Sequence, residues 1–209
     1  MGAKAFSKEM LLDPVRRAEG YFTAKQIDPP DGVINPSLKD RVYQDTDNMV
    51  YGGLDIGKKR HPSHLSVLME YGNKLIQLHS KWFDGVNYND QLTYCERVIE
   101  GLKIDDLPYD NTRGEFEAFD EQGILPDVMR PVVFSKKSNW DMASGFDREV
   151  TNCTIELLPD ERQRRQILMV DNNLKAPETP EGHGDAFWSN CLAIDAARGG
   201  NRVELIELV

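Results

Sequence analysis

A chain of 209 residues, 40% of them hydrophobic, can bury one substantial core with room for a small appendage. No apolar run approaches the roughly 20 residues that span a bilayer, and Met1-Gly-Ala-Lys-Ala-Phe6 lacks the apolar stretch of a secretory signal. The formal net charge of −10 excludes a general nucleic-acid binder held by a broad basic face.

Phe6 to Gly20 reads as a short helix that Pro14 interrupts. From Gln26 to Asn48, Pro29, Pro30, Pro36 and many turn residues predict a connector or wrapped loop. Residues 1–48 are therefore expected as a connector, and residues 49–209 as the main domain. Met49 to Asp55 reads as a strand. His64 to Tyr71 and Lys74 to Phe83 flank Gly72-Asn73 as a hairpin.

Tyr88, Leu92, Cys95, Ile99 and Leu102 recur at helical spacing, which predicts a helix over 89–102. A strand should end at Asp110, with a helix from about Thr112 to Gln122 stopped by Gly123. Arg130 to Phe134 is a short β-rich run. Trp140, Ala143, Phe146, Val150 and Cys153 trace one face of a helix, with Ser138 and Asp141 placed as a capping box. Asp160 caps a further helix through Met169, a loop fills 172–184, and the last helix runs from Asp185 to about Arg198. Arg202 to Val209 reads as an edge strand.

This order predicts an α/β fold with a mixed sheet flanked by helices. Cys95, Cys153 and Cys191 are odd in number, far apart and set in helical patterns, so they read as buried thiols, not disulfides or a zinc site.

Three acids have informative settings. Asp55 lies inside Leu54-Asp55-Ile56, where a carboxylate is costly to bury unless a cation or several donors offset it. Gly52, Gly53 and Gly57 leave room for a phosphate backbone, and Lys58 supplies charge either to position a phosphate or to face solvent. Gly52, Gly57 and Lys58 also match the spacing of a phosphate-binding loop. Lys59, however, stands where a Ser or Thr should meet magnesium, so no nucleotide site is expected.

Asp110 ends its strand, where it serves either as a cap or as a metal ligand. Asp185 opens the last helix, where it favours the positive helix end or binds metal. His183 reads as a loop or outer-shell neighbour of such a site. Arg162, Arg164 and Arg165 suit either DNA contact or a solvated helix face. Carboxylates from separate elements converging at one end of a sheet would hold divalent cations for phosphodiester cleavage.

The motifs Gly53-Leu-Asp55-Ile-Gly57, Tyr109-Asp110-Asn-Thr-Arg-Gly114 and His183-Gly-Asp185-Ala-Phe-Trp188, in this order, resemble the nuclease domain of the tailed-bacteriophage large terminase subunit. The resemblance runs from about Met49 to Arg198 and implies a ribonuclease H-like fold. It also implies Asp55, Asp110 and Asp185 as catalytic, metal-binding acids holding two divalent cations, Mg²⁺ or Mn²⁺. Gly184 stands where many members carry an additional acid, which weakens the ligand set for the second cation.

Phe6-Ser-Lys-Glu-Met-Leu11 resembles the family's connector after its packaging ATPase, while no complete phosphate-binding loop occurs in these residues. The implied function is cleavage of concatemeric viral double-stranded DNA during genome packaging, in the cytoplasm of the infected bacterial host. The ATPase motor domain, the portal and the small terminase subunit would be its partners, without any membrane. Two other readings remain open: another ribonuclease H-like nuclease such as a junction resolvase, or a non-catalytic docking module whose acidic surface suits a basic partner.

Overall fold

The computed structural model describes residues 20–28, 48–57, 61–177 and 183–199. The anticipated helix over 6–20, most of the connector, Lys58 and the strand over 202–209 lie outside them.

A hairpin forms the middle of the sheet. β2 (Ser63–Tyr71) and β3 (Lys74–Phe83) are antiparallel, and the turn between them uses Gly72 at φ +61°, a conformation that glycine reaches without steric cost. β1 (Val50–Asp55) lies antiparallel to β2, with Asp55 opposite His64. β4 (Leu107–Asp110) and β5 (Met129–Val132) continue the sheet in parallel with β1. The edge beyond β3 is a two-residue strand, β6 (Ile155–Glu156), running parallel to it. The order β5-β4-β1-β2-β3-β6 gives a mixed six-stranded sheet.

Helices cover both faces. α1 (Ala24–Ile27) is one turn, and next to it Phe22 is buried against Phe146 and Phe187. α2 (Tyr88–Leu102) begins at Asn87, whose side chain accepts from Asp90 N, and ends at Lys103 in the left-handed region. Its Leu92 and Cys95 join Leu54, Leu65, Val67, Leu107 and Tyr109 in one core. α4 (Lys136–Thr151), α5 (Glu161–Leu168) and α6 (Asp185–Ala197) pack the other face, with Leu68 and Leu75 beneath them. A five-residue helix, α3 (Glu117–Glu121), precedes Gly123.

Four details differ from the sequence expectation. The helix anticipated over 112–122 is reduced to α3, because residues 111–116 are taken up by turns that include Gly114 at φ +71°. α4 starts earlier than Ser138. Ser135 is its cap, and Ser138 closes the capping box from the third helical position. That phase turns Met142, Ala143 and Phe146 inward and leaves Trp140 55% exposed. Cys153 falls beyond the helix at φ +56° and is exposed, whereas Cys95 and Cys191 are buried.

A polar layer lies within the second core. Gln77 Nε2 donates to Ser66 Oγ at 2.8 Å and to Gln163 Oε1 at 2.9 Å. Asn190 Nδ2 donates to Gln163 Oε1 at 3.0 Å. His64 contacts Ser189 Oγ through Nδ1 at 2.6 Å and Ser80 Oγ through Nε2 at 2.9 Å. Burial pushes its pKa down to about 3, so the ring is neutral at ordinary pH. Such a network fixes α5 and α6 against β2 and β3 more specifically than apolar packing alone.

Candidate active site

β1 and β4 are parallel neighbours, so their carboxyl ends open on the same side of the sheet, where ligands gather in α/β folds. Asp55 is the last residue of β1 and Asp110 the last of β4. Asp185 is the first residue of α6, which starts at that end and runs along the sheet face. Ser189 meets His64 opposite Asp55, and Arg198 meets Glu70 at the far end of β2. The three acids line one cleft of about 330 Å³, together with Thr112, Arg113, Asn139, His61, His183 and Trp188.

Gly53 brings α6 there. It shares the α6-facing side of β1 with Asp55, and a Cβ on it would lie 2.1 Å from Ser189 O and 2.5 Å from Ala193 N. A Cβ at Gly52 would lie 2.6 Å from the Leu107 side chain, and one at Gly57 would lie 2.2 Å from Pro62 O. The space these glycines leave is therefore filled by the protein itself and not held open for phosphate. That corrects the sequence expectation, which took their small size as a mark of ligand approach.

Each acid is held differently. Asp55 is 7% exposed, and no described group donates a hydrogen bond to its carboxylate. Burial, then Asp185, then Asp110 push its pKa well above the usual carboxylate range, with Arg113 acting in the opposite sense. Asp110 Oδ1 accepts from Thr112 N at 2.9 Å and from Thr112 Oγ1. Burial raises its pKa, and the Thr112 bonds offset part of the rise. Asp110 therefore caps a turn and not a helix. Thr112 Oγ1 accepts from Phe134 N at 2.8 Å, which ties that turn to the end of β5.

Asp185 is buried, and its Oδ2 accepts from Gln166 Nε2 at 3.2 Å. Burial raises its pKa against that bond and the backbone N–H groups of His183 and Asp185. His183 stands at the rim, its ring 4.1 Å from that of His61 in an edge-on contact.

Among the described residues, no three His, Cys, Asp or Glu side chains are already drawn into a ligand cluster. The three acids share the lining of one cleft. The arginines of α5 are engaged within the chain. Arg162 pairs with Asp84 at 2.9 Å and stacks over Trp82 at 3.9 Å, and Arg164 pairs with Asp28 at 2.6 Å. Sequence reasoning missed Thr112, Arg113, His61 and Gln166. Thr112 and Arg113 flank Asp110 and were within reach of a local reading; Gln166 reaches the site only through the packing of α5 on α6.

No family model matches the sequence, and no curated protein does. Solved structures do match the fold. The large terminase nuclease of thermophilic phage G20c superposes with a TM-score of 0.60 at 20% identity, over 70% of this chain and 81% of that one. The Thermus phage P74-26 large terminase nuclease domain gives 0.56 at 19% identity, over 70% and 78%. A large terminase from a further thermophilic bacteriophage gives 0.56 at 14% identity; the match covers 94% of this chain and only 52% of that one, so the chain spans about half its length. The mixed six-stranded sheet flanked by helices is thus the ribonuclease H-like fold of large terminase nuclease domains.

Proposed function

We propose that this chain is a divalent-metal-dependent DNA endonuclease that cuts double-stranded viral DNA during genome packaging, with Asp55, Asp110 and Asp185 as its metal-binding and catalytic acids. The observation that carries the reading is Asp55: a carboxylate with no hydrogen-bond donor among the described residues, whose pKa is raised first by burial and then by two other acids of the same cleft. A buried charge in that setting is stabilised by a cation. The donors are all carboxylate oxygens, which suit Mg²⁺ or Mn²⁺ better than softer ions. Structures of the G20c nuclease with bound magnesium, zinc and cobalt support divalent-metal use in this fold.

When bound, such cations supply water activation and stabilisation of the leaving oxygen in an in-line displacement. The chain's own residues orient and hold the reacting groups. Thr112 keeps the Asp110 carboxylate turned from β4, Gly53 lets α6 deliver Asp185 to the cleft, and Arg113 offers a cation to a phosphate at its rim. The domain would act beside an ATPase motor, as the structure of a phage large terminase in complex with ATP-γ-S suggests for such proteins. Portal and small terminase subunit complete the proposed partners, in the infected host's cytoplasm; no described helix is long and apolar enough to cross a membrane.

Plasmid cleavage with magnesium, manganese and chelator in parallel tests the reading. Cutting with either metal, absent in chelator and in Asp55→Asn, is expected. Equal cutting in chelator sinks the metal mechanism, and a preference for branched junctions over linear duplex would favour a resolvase instead.

A further inference from the structure

The third acid of the cleft is gripped from behind. Gln166 sits near the end of α5 and is 4% exposed. Both ends of its amide are used: Oε1 accepts from Ala186 N at 2.8 Å, and Nε2 donates to Asp185 Oδ2 at 3.2 Å. A backbone N–H can only donate, so the Ala186 contact fixes which end of the amide is oxygen. The nitrogen then faces the carboxylate by necessity.

The grip has a partner one turn away on each helix. Gln163, three residues before Gln166, accepts from Asn190 Nδ2 at 3.0 Å, four residues beyond Ala186. Residues three and four apart share one helix face, so α5 presents two amides in register with two sites on α6. Gln163 ties α6 to the sheet through Gln77. Gln166 touches the acid itself.

We propose that Gln166 is a positioning residue for divalent-cation binding. It commits Asp185 Oδ2 to an amide hydrogen bond and so holds the carboxylate facing the cleft before the cation arrives. The inference rests on the metal-dependent reading of the cleft. An amide suits this task because it donates to the carboxylate without neutralising it. A Lys or Arg at the same place would compete with the cation for the charge. The gain is pre-organisation, which appears as metal affinity and not as DNA affinity.

The test measures Mn²⁺ binding to the full chain by titration calorimetry for wild type, Asp185→Asn, Gln166→Met and Gln166→Glu, with thermal melts in chelator alongside. Met keeps the length and removes both hydrogen bonds. Glu keeps an acceptor for the Ala186 N–H and puts an oxygen in place of the donor, so the start of α6 is preserved even if Met unfolds the chain. The expected result is Mn²⁺ binding at least about 10-fold weaker in either variant that melts cooperatively, the scale of losing an outer-shell partner. Cleavage in that variant should be restored by excess manganese with KM for DNA unchanged, a split that simple loosening of the helix would not produce.

Wild-type affinity in a folded Gln166 variant overturns the proposal while leaving the metal site standing, provided Asp185→Asn binds weakly in the same series. If wild type binds no manganese, or Asp185→Asn binds as wild type does, the metal reading of Asp185 fails and this inference with it.

Discussion

Gly53 on β1 and Ser189 on α6 meet so closely that a Cβ at position 53 would lie 2.1 Å from the Ser189 carbonyl oxygen. The obstacle is backbone, which cannot swing aside like the end of a side chain. Gly53→Ala therefore has to push α6 off the sheet, at a cost of about 3 kcal/mol. Gly101, exposed in α2 with nothing near its would-be Cβ, gives the opposite case. Gly101→Ala should stabilise by roughly 0.5 kcal/mol through helix propensity. Urea melts of the two variants check the pair. Because α6 carries Asp185, Gly53→Ala should also lose cleavage out of proportion to the fraction unfolded.

Much of the frame was legible because its signals are local. Gly72-Asn73 marked the hairpin, the spacing from Tyr88 to Leu102 marked α2, and each acid stood at an element boundary that the apolar pattern exposed. The failures were of two kinds. Side-chain turns overrode propensity after Asp110, where Thr112 and Gly114 shorten the anticipated helix to Glu117–Glu121. Contacts between distant segments were invisible. β6 has only two residues and no pattern to read, and Gln163 and Gln166 look like the polar face of a solvated helix until α6 packs on them. The glycines of β1 drew attention for the wrong cause: Gly53 marks the contact of α6 with the strand, and Gly52 makes room for the Leu107 side chain of β4.

Asp55→Asn should lower metal-dependent cleavage by at least about 100-fold, beyond what loss of an outer-shell partner costs. Without metal the same change should make the protein firmer. Burial and the charges of Asp185 and Asp110 all oppose ionisation of Asp55, and the amide removes that strain while keeping the size. A rise in Tm on the order of 3 °C in chelator is expected, the shift that about 1 kcal/mol makes in a domain of this size. Manganese should raise the Tm of wild type and leave the variant nearly unmoved. Calorimetric melts in chelator and in manganese read both effects, and a drop in the variant's chelator Tm would contradict the repulsion account.

The pH dependence of metal-free stability should be a dome with two separable limbs. Asp55, Asp110 and Asp185 have folded pKa values raised chiefly by burial. Their contribution is present below the ordinary carboxylate pKa, and is lost as pH rises through their folded values. Glu149 works in reverse. Burial pushes it up, but bonds from Arg198 Nε at 2.8 Å, Arg198 Nη2 at 3.0 Å and Thr154 Oγ1 at 2.6 Å outweigh burial and leave its pKa lowered. Its stabilisation is present above the unfolded value of about 4.3 and disappears as pH falls through the folded one. Melts in chelator should therefore show stability rising as pH falls toward the ordinary carboxylate range, then collapsing below it. Glu149→Gln should flatten the acid limb only, and Asp55→Asn the other limb only.

Gly184→Asp is the obvious attempt to supply the additional acid that the sequence resemblance finds missing beside Asp185, and it should fail for a structural reason. Gly184 is the cap residue of α6 at φ +81°, in the left-handed region, and a Cβ there would lie 2.2 Å from the Cβ of Ala176. Aspartate tolerates left-handed backbone better than most residues, but the contact with Ala176 remains. Moving either segment displaces the first turn of α6, where Asp185 is held by Gln166. The expected outcome is a loss of about 2 kcal/mol in urea melts, with manganese affinity unchanged or weaker despite the extra charge. Pairing the substitution with Ala176→Gly separates the causes: relief of the clash should return most of the stability, and only then should a new carboxylate have the chance to tighten metal binding. Tighter binding by Gly184→Asp alone, at wild-type stability, would show that the turn yields and that its glycine is not sterically required.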